Sequence, residues 1–405
     1  MINRRTFLGG LGPAATAGLR GVAAAANPAP DEPSGVPHIR RHVTLGRTGL
    51  AVSDVSFGSS SLTDPDLVRH ALDCGVTYFD TAETYRFGWA EEAIGEALHG
   101  VRDRVVLSSK TKAGAGDTRA EMMAALEGSL RRLRTDHLDI YFNHAVNDVA
   151  RLRNPEWAEF TERARAQGKI RFRGVSGHGS RLAACLEYAV AHDLADVVLV
   201  AYSFGQDPDF VDRLRHTFHF VALQPELPRA LEKARATGIG VVAMKTLMGA
   251  RLNDMRPYEE GGATFAQAAL SWVLSSPRVD AALISMTSRE RIDEYVAASG
   301  RTELRGEGLP LLARYASLQD ARYCRHGCNH CEGACPEGVA IAEVLRTRMY
   351  DVDYGDPALA REDYTRLGDD AASACLTCPH QACRDACPYG LPIPEFTRDA
   401  ATRLG

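Results

Sequence analysis

Three apolar, strand-forming runs in this chain stop at residues that can handle a proton. Val76-Thr-Tyr-Phe79 stops at Asp80, with Tyr85 on the segment that follows; Val105-Val-Leu-Ser-Ser109 runs into Lys110; Leu138-Asp-Ile-Tyr-Phe142 runs into Asn143-His144. A free phenol, with a pKa of about 10, is too weak an acid at neutral pH, but an ammonium beside it favours the phenolate and is expected to lower that value. A lysine doing this from inside a protein is costly to bury alone, and Asp80 can pair with it. An imidazole can orient a polar substrate atom and share the proton's transfer. Together the four groups could protonate the oxygen of a carbonyl as it is reduced. The same four could form a structural ion pair beside a core Tyr and His, but their common position at strand ends argues for chemistry. They are distant in sequence, so only a fold that gathers the ends of successive strands can assemble them. A parallel barrel does this at the face built by its βα loops.

A second group is local. Eight of the ten cysteines fall in two runs, Cys324-x3-Cys328-x2-Cys331-x3-Cys335-Pro336 and Cys375-x2-Cys378-x4-Cys383-x3-Cys387-Pro388. Four soft thiolates at short spacing suit an iron–sulfur cluster, and a fourth cysteine followed by proline marks two-cluster ferredoxins, where it serves the other cluster. Two [4Fe-4S] clusters are therefore expected, one on Cys324, Cys328, Cys331 and Cys387, the other on Cys375, Cys378, Cys383 and Cys335. The spacings are one and two residues longer than the compact bacterial pattern, and the helix-like spacer resembles α-helical ferredoxins. Zinc and, in an exported chain, four disulfides are the competing uses of these cysteines. His326, His330 and His380 are expected outside the ligand shell or at the surface. Cys74 and Cys185 lie on apolar helix faces and are expected in the core.

The elements that must position the first group follow a rhythm. His42 to Ser53 reads as a hairpin turning at Arg47-Thr-Gly49. Strand and helix then alternate eight times, with helix starts at Asp64-Pro65, at the capping box Thr118-Arg-Ala-Glu121 and at Asn154-Pro155. The alternation predicts an α/β fold, a (β/α)8 barrel over 40–300. From 301 to 405 the pattern is helical, without strand alternation, and predicts a second, mainly α-helical ferredoxin-like domain carrying the two clusters. With few large apolar residues, it is expected to have little core of its own and to fold around its metal.

Phe79-Asp-Thr-Ala-Glu-Thr-Tyr85, Leu107-Ser-Ser-Lys110 and Leu138-Asp-Ile-Tyr-Phe-Asn-His144, in that order, resemble the catalytic tetrad motifs of the aldo/keto reductases. The resemblance covers roughly residues 40 to 300 and implies reduction of a small carbonyl, or oxidation of an alcohol, with NADP(H). It implies cofactor contacts at Ser176, at Met244 and Leu247, and at Ser288, Arg291 and Glu294, the last three at a helix start suited to a phosphate. The family's amide-binding Asn and Gln fall at Gly177 and Leu199, its stacking aromatic at Met244, and its phosphate-binding Lys and Asn at Ser285 and Tyr295. No Gly-x-Gly-x-x-Gly element follows a strand, so a Rossmann site is not indicated.

The chain has 405 residues, 45% hydrophobic and 24% charged, with a formal net charge of -5. That suits one large and one small soluble domain and gives no reason to expect nucleic acid. Asn3-Arg-Arg-Thr-Phe-Leu8 and the small-residue stretch ending at Ala26 resemble a Tat export signal over 1–27, followed by a Pro-rich linker over 28–39. The expected location is periplasmic, or otherwise exported through the Tat route. No apolar run is long enough to span a bilayer. A redox partner protein is expected if the clusters relay electrons. A different reading is an exported electron-transfer protein whose barrel no longer uses nicotinamide, because a hydride carries two electrons and a cluster one. A catalytically dead binding protein is disfavoured by the complete tetrad.

Overall fold

The computed structural model describes residues 37–62, 64–206, 226–248, 255–259, 262–301, 308–319, 324, 328–353 and 355–405. The expected export signal, the linker up to residue 36 and His326 lie outside them. The described chain belongs to one compact unit.

Strands β1 (His42–Thr44) and β2 (Ala51–Ser53) pair antiparallel as the expected hairpin. Eight parallel strands follow: β3 (Val55–Gly58), β4 (Tyr78–Asp80), β5 (Val106–Thr111), β6 (Leu138–Asn143), β7 (Ile170–Gly177), β8 (Val197–Ala201), β9 (Gly240–Met244) and β10 (Ala281–Ser285). They close in sequence order, with β10 paired back to β3. Nine helices surround them among the described residues: α1 (Pro65–Asp73), α2 (Trp89–Ala97), α3 (Arg119–Arg132), α4 (Val149–Leu152), α5 (Pro155–Ala166), α6 (Leu182–Ala191), α7 (Leu227–Ala236), α8 (Phe265–Ser275) and α9 (Arg289–Val296). The expected caps are present. The Asp64 carboxylate accepts from Asp66 N, Thr118 and Glu121 bond reciprocally, and Asn154 accepts from Glu156 N. Each is worth about 1 kcal/mol.

Strand side chains alternate between faces, so residues two apart share a face. One set faces the helices, as with Phe79, Leu107, Tyr141 and Val198 in the large core. The other fills the barrel. Tyr78, Val106, Ile140, Phe142, Leu199 and Val242 pack together with the hairpin's Leu45, Leu50 and Val52, which plug the amino-terminal end. The plug fits closely: a Cβ on Gly46, whose φ is +48°, would lie 2.3 Å from Gly240 N. Continuing the interior rows upward gives Asp80 above Tyr78, Ser108 and Lys110 above Val106, His144 above Phe142, and Met244 above Val242. The interior is apolar at the plugged end and becomes polar at the carboxyl ends.

After the barrel, α10 (Gly308–Gln319) adds Leu311, Leu312 and Tyr315 to the barrel's core. Then come α11 (His330–Gly333), α12 (Ile341–Val352), α13 (Pro357–Thr365), α14 (Ala382–Asp385) and α15 (Ile393–Leu404). The expectation of little core here is overturned. Ile341, Val344, Leu345 and Met349 of α12 pack with Ala360 and Tyr364 of α13 and with Ile393, Ala400 and Leu404 of α15. Helical spacing puts modest residues on one buried stripe, and many small contributions make a core. Cys74 and Cys185 are buried, as expected. No helix among the described residues is long and apolar enough to cross a membrane.

Candidate active site at the barrel mouth

Asp80 is in register with Ser108, and Ser108 and Lys110 share a face of β5. Asp80 therefore sits between them. Lys110 Nζ donates to Asp80 Oδ2 at 2.5 Å and to Thr81 O at 2.6 Å, and Ser108 Oγ donates to Asp80 Oδ1 at 2.6 Å. Lys110 is 1% exposed. Its third neighbour is Tyr85, whose hydroxyl lies 3.4 Å from Nζ, and the ammonium stands 4.7 Å from the Tyr85 ring centroid. The Tyr85 and His144 rings meet edge to face at 5.6 Å. The four expected residues thus converge on one spot.

Burial, the largest influence on Lys110, disfavours its charge, but Asp80 and Tyr85 outweigh it and raise its pKa. Burial also lifts Asp80 against Lys110 and Ser108; with both oxygens engaged by donors, the geometry serves the carboxylate. For Tyr85 the expected lowering does not hold. Lys110 pulls its pKa down, but burial pushes harder and Asp80 adds to it, so the phenol ends above its ordinary value. A raised phenol keeps its proton, which is what a proton donor needs at rest. His144 is pushed well below the usual imidazole range by burial, then by Lys110, Arg151 and Lys245, so it is neutral at neutral pH.

Three contributors escaped the sequence reading. Ser108 is one. Arg151 is another: its guanidinium donates to Ala113 O, Ala145 O, His144 O and Asn143 Oδ1 at 2.7–2.9 Å, tying down the turn that carries His144. Lys245 is the third, between Met244 and Leu247; its Nζ is 2.9 Å from Tyr350 OH on α12. The contact is one of several. Glu343 Oε1 accepts from Ser180 N at 2.9 Å, and Lys112 Nζ reaches Glu362 and Asp363, both at 3.1 Å. Arg346 joins Glu343, Tyr350 and Asp363 at 2.7–3.0 Å. Helices α12 and α13 therefore meet segments just beyond β5, β7 and β9.

The residues expected to hold NADP(H) are spread along the mouth. Ser176 Oγ is already engaged, accepting from Ala145 N at 3.1 Å and lying 3.4 Å from Asn143 O. A Cβ at Gly177 would lie 2.8 Å from Val146 O and from Leu182 Cδ1, so an Asn has no room there. Leu199 is part of the apolar interior, with Met244 packed against it, and Leu247 packs on the outer core. At the other end Ser288 caps α9, and Arg291 pairs with Glu294 at 2.6 Å with half its side chain exposed. Buried polar atoms without a partner among the described residues include Asn143 Nδ2, His144 Nδ1 and Thr246 Oγ1. Asn143 and His144 stand at the carboxyl end of β6, and Thr246 lies just beyond that of β9.

The cysteines line two cavities. One is lined by Cys335, Cys375, Cys378 and Cys383. The other is lined by Cys324, Cys328, Cys331 and Cys387. In this grouping Cys335 stands with the second run and Cys387 with the first. All ten cysteines are unbridged. Burial, then Glu332, Cys387 and Cys328, pushes Cys331 up to about 12. Burial also raises Cys375 and Cys383. His330 Nδ1 lies 3.2 Å from Cys328 Sγ, and His380 is exposed. Away from both sites, His70 Nε2 and Asp293 hydrogen-bond at 2.8 Å beside Cys74, joining α1 to α9.

A closed eight-stranded barrel with this constellation at its mouth defines a barrel oxidoreductase. The sequence profile of the aldo/keto reductase family matches residues 57–260, and the chain belongs to that family. It is 32% identical over 155 residues to the aldo-keto reductase YhdN of Bacillus subtilis, covering 33% of this chain and 46% of that one. It is 43% identical over 119 residues to the methylglyoxal reductase YeaE of Escherichia coli, covering 29% and 40%. Both matches span less than half of the relative. The crystal structure of an aldo-keto reductase from Klebsiella pneumoniae in complex with NADPH is 30% identical, covers 68% of this chain and 95% of that one, and superposes with a TM-score of 0.53.

Proposed function

We propose that the protein reduces a small carbonyl compound, or oxidises the corresponding alcohol, with NADP(H), and that its cysteine-bearing region holds two [4Fe-4S] clusters in the crossed arrangement. The observation that carries the first part is the convergence of Lys110, Asp80, Tyr85 and His144 at one mouth. Tyr85 donates its proton to the carbonyl oxygen as negative charge develops there. Lys110, kept cationic by Asp80, stabilises the phenolate left behind. Neutral His144 orients the oxygen through a hydrogen bond. The bound dinucleotide supplies the hydride. Arg291 and Glu294 would hold its adenosine end, Ser176 and Met244 would flank the nicotinamide, and the unpaired atoms near β6 and β9 suit a polar ligand. The Klebsiella relative's complex with NADPH supports the cofactor.

The second part rests on the cysteine cavities. A tetrahedral ion with Zn–S bonds of about 2.3 Å needs sulfurs about 3.8 Å apart. Among the described residues no three of these sulfurs lie within 4.8 Å of one another. The sets are more open than a single ion requires and favour a larger cluster. Two such clusters would use all eight thiolates, four each, relaying electrons or holding the region together. The crowding at Gly177 favours a second reading, in which the barrel has given up nicotinamide and electrons arrive only through the clusters.

The test is turnover by anaerobically prepared full-length protein, with iron and acid-labile sulfide analysis. Carbonyl-dependent NADPH oxidation with about eight iron and eight sulfide per chain is expected from two cubane clusters. Absence of NADPH oxidation with a broad set of aldehydes and ketones would leave the second reading. Zinc in both sites would remove the electron-transfer role. Export through the Tat route is part of the same proposal: replacing Arg4 and Arg5 by Lys should retain the protein in the cytoplasm, and continued export would refute it.

A further inference from the structure

We propose that His70, Cys74 and Asp293 form a zinc site on the outside of the barrel, where the ion staples the first barrel helix to the last. Neither the reductase chemistry nor the cysteine-bearing region is involved. His70 and Cys74 are four residues apart at the end of α1, and Cys74 N donates to His70 O at 2.9 Å, so both side chains leave the helix on one face. Asp293 comes from α9, which packs on α1. The three ligand atoms converge: His70 Nε2 lies 2.8 Å from Asp293 Oδ1, and Cys74 Sγ lies 3.8 Å from each. A triangle with these sides has its corners about 2.0 Å from a common centre, and zinc takes nitrogen and oxygen at about 2.0–2.2 Å and a thiolate at about 2.3 Å. An ion slightly out of that plane therefore meets all three with little movement. A thiolate, an imidazole and a carboxylate together suit zinc, and three protein ligands leave the fourth tetrahedral position to water.

The site is held and yet open. Cys74 is buried and its carbonyl accepts from Ile39 N at 2.8 Å, while the His70 and Asp293 side chains are 17% and 37% exposed. The thiol forms the floor, and the ion and its water have a way in past the other two. A hydrogen-bonded contact between the helices needs only His70 and Asp293; a sulfur 3.8 Å from both adds little as a donor but completes a ligand triangle. On binding, the thiol releases its proton to solvent and the imidazole keeps its own on Nδ1, leaving Nε2 for the metal. The place in the fold gives the ion its role. Helix α1 follows β3, α9 follows β10, and β10 pairs with β3 where the barrel closes. Cys74 and Asp293 are 219 residues apart. A metal link between them closes most of the barrel into one loop, and links across long loops restrict an unfolded chain most. The ion thus acts on the stability of the closed barrel.

The experiment compares wild type, Cys74→Ser, His70→Gln and Asp293→Asn as full-length protein, freed of loosely bound metal by a chelator and with iron content measured in each. The first probe is zinc alone. Wild type should retain about one zinc per chain more than each variant. Its melting temperature should rise with added zinc while theirs should not, because a ligand of the native state alone stabilises that state. Loss of Cys74 should weaken zinc by more than the roughly 10–100-fold typical of losing a partner outside the ligand shell. The second probe is cobalt(II) alone: wild type should show a thiolate-to-cobalt charge-transfer band that Cys74→Ser lacks. The cysteines from 324 to 387 are the same in all four proteins, so a difference among them belongs to α1 and α9. Equal zinc in wild type and Cys74→Ser, or equal cobalt spectra, overturns the proposal. So does a wild type whose melting temperature ignores zinc while the variants melt lower, which would leave a hydrogen-bonded contact only. Should Cys74→Ser not fold, Asp293→Asn, at the exposed edge of the site, decides by the same zinc difference.

Discussion

The barrel and the cysteine-bearing region gather their chemical groups in opposite ways. Asp80, Lys110 and His144 come from the ends of three strands and meet only because the barrel closes; each strand adds polar residues at the top of an apolar row. The cysteines come from two short runs whose local spacing already brings three of them together, and only Cys335 and Cys387 cross between cavities. The barrel's groups also satisfy one another, with Lys110 and Asp80 paired at 2.5 Å. Among the thiols, burial raises the pKa of Cys331, Cys375 and Cys383. One site is preorganised by the fold. The other, on the reading proposed above, would exchange its thiol protons for metal, since thiolate ligation releases them.

The largest effect should come at the barrel. Tyr85→Phe removes the proton donor while leaving the ring against His144, so carbonyl turnover should fall about 10²–10⁴-fold with the melting temperature unchanged. Turnover within about threefold of wild type would assign the proton to another group.

At the cysteine region, Cys387→Ser should damage the cluster of Cys324, Cys328 and Cys331, some fifty residues earlier, and spare that of Cys375. Iron and sulfide analysis with EPR after reduction reads this directly. Damage confined to the Cys375 site would mean that each run closes on itself, and the contrast between local runs and crossed fourth ligands would go.

Leu345, 7% exposed in the core of α12, α13 and α15, tests whether that region also stands on packing. Leu345→Ala should cost about 2–5 kcal/mol, visible as a lower denaturation midpoint with cluster content retained under native conditions. No change in midpoint would show that the metal alone sustains the region.

The smallest effect is expected at Arg291. Glu294 already holds it at 2.6 Å and half its side chain is exposed, so the gain on binding a 2′-phosphate sits near the low end for a charge-assisted bond, about 1.5 kcal/mol. Arg291→Ala should weaken NADPH roughly tenfold and NADH little. Equal weakening of both would remove Arg291 from the phosphate site.

The sequence displayed the barrel because its signals are local: caps such as Asp64-Pro65 and Thr118/Glu121, and apolar runs that stop at a polar residue. It displayed the tetrad for the same reason, since Asp80, Lys110 and His144 stand where runs end and Tyr85 follows one of them. What it hid depends on packing between distant segments. The net rise at Tyr85 comes from burial by the whole mouth, which no spacing reveals. Arg151 belongs to no motif, yet its donors are spent on the turn that carries His144. Lys245 and Tyr350 are separated by more than a hundred residues, and neither belongs to a motif. The core of α12, α13 and α15 was missed because Ala360, Ala400 and Ala401 count for little singly and fill the space between helices together.

On the proposed reading the barrel uses a nicotinamide cofactor although a side chain at Gly177 would meet Val146 O and Leu182. Titration of the anaerobic, cluster-loaded full chain with NADPH tests it most directly, following nicotinamide fluorescence and cluster absorbance together. Saturable enhancement of the fluorescence, with NADPH then consumed when a carbonyl compound is added, is the predicted result. No change in fluorescence at any NADPH concentration, in protein whose clusters are still reduced by dithionite, would contradict it.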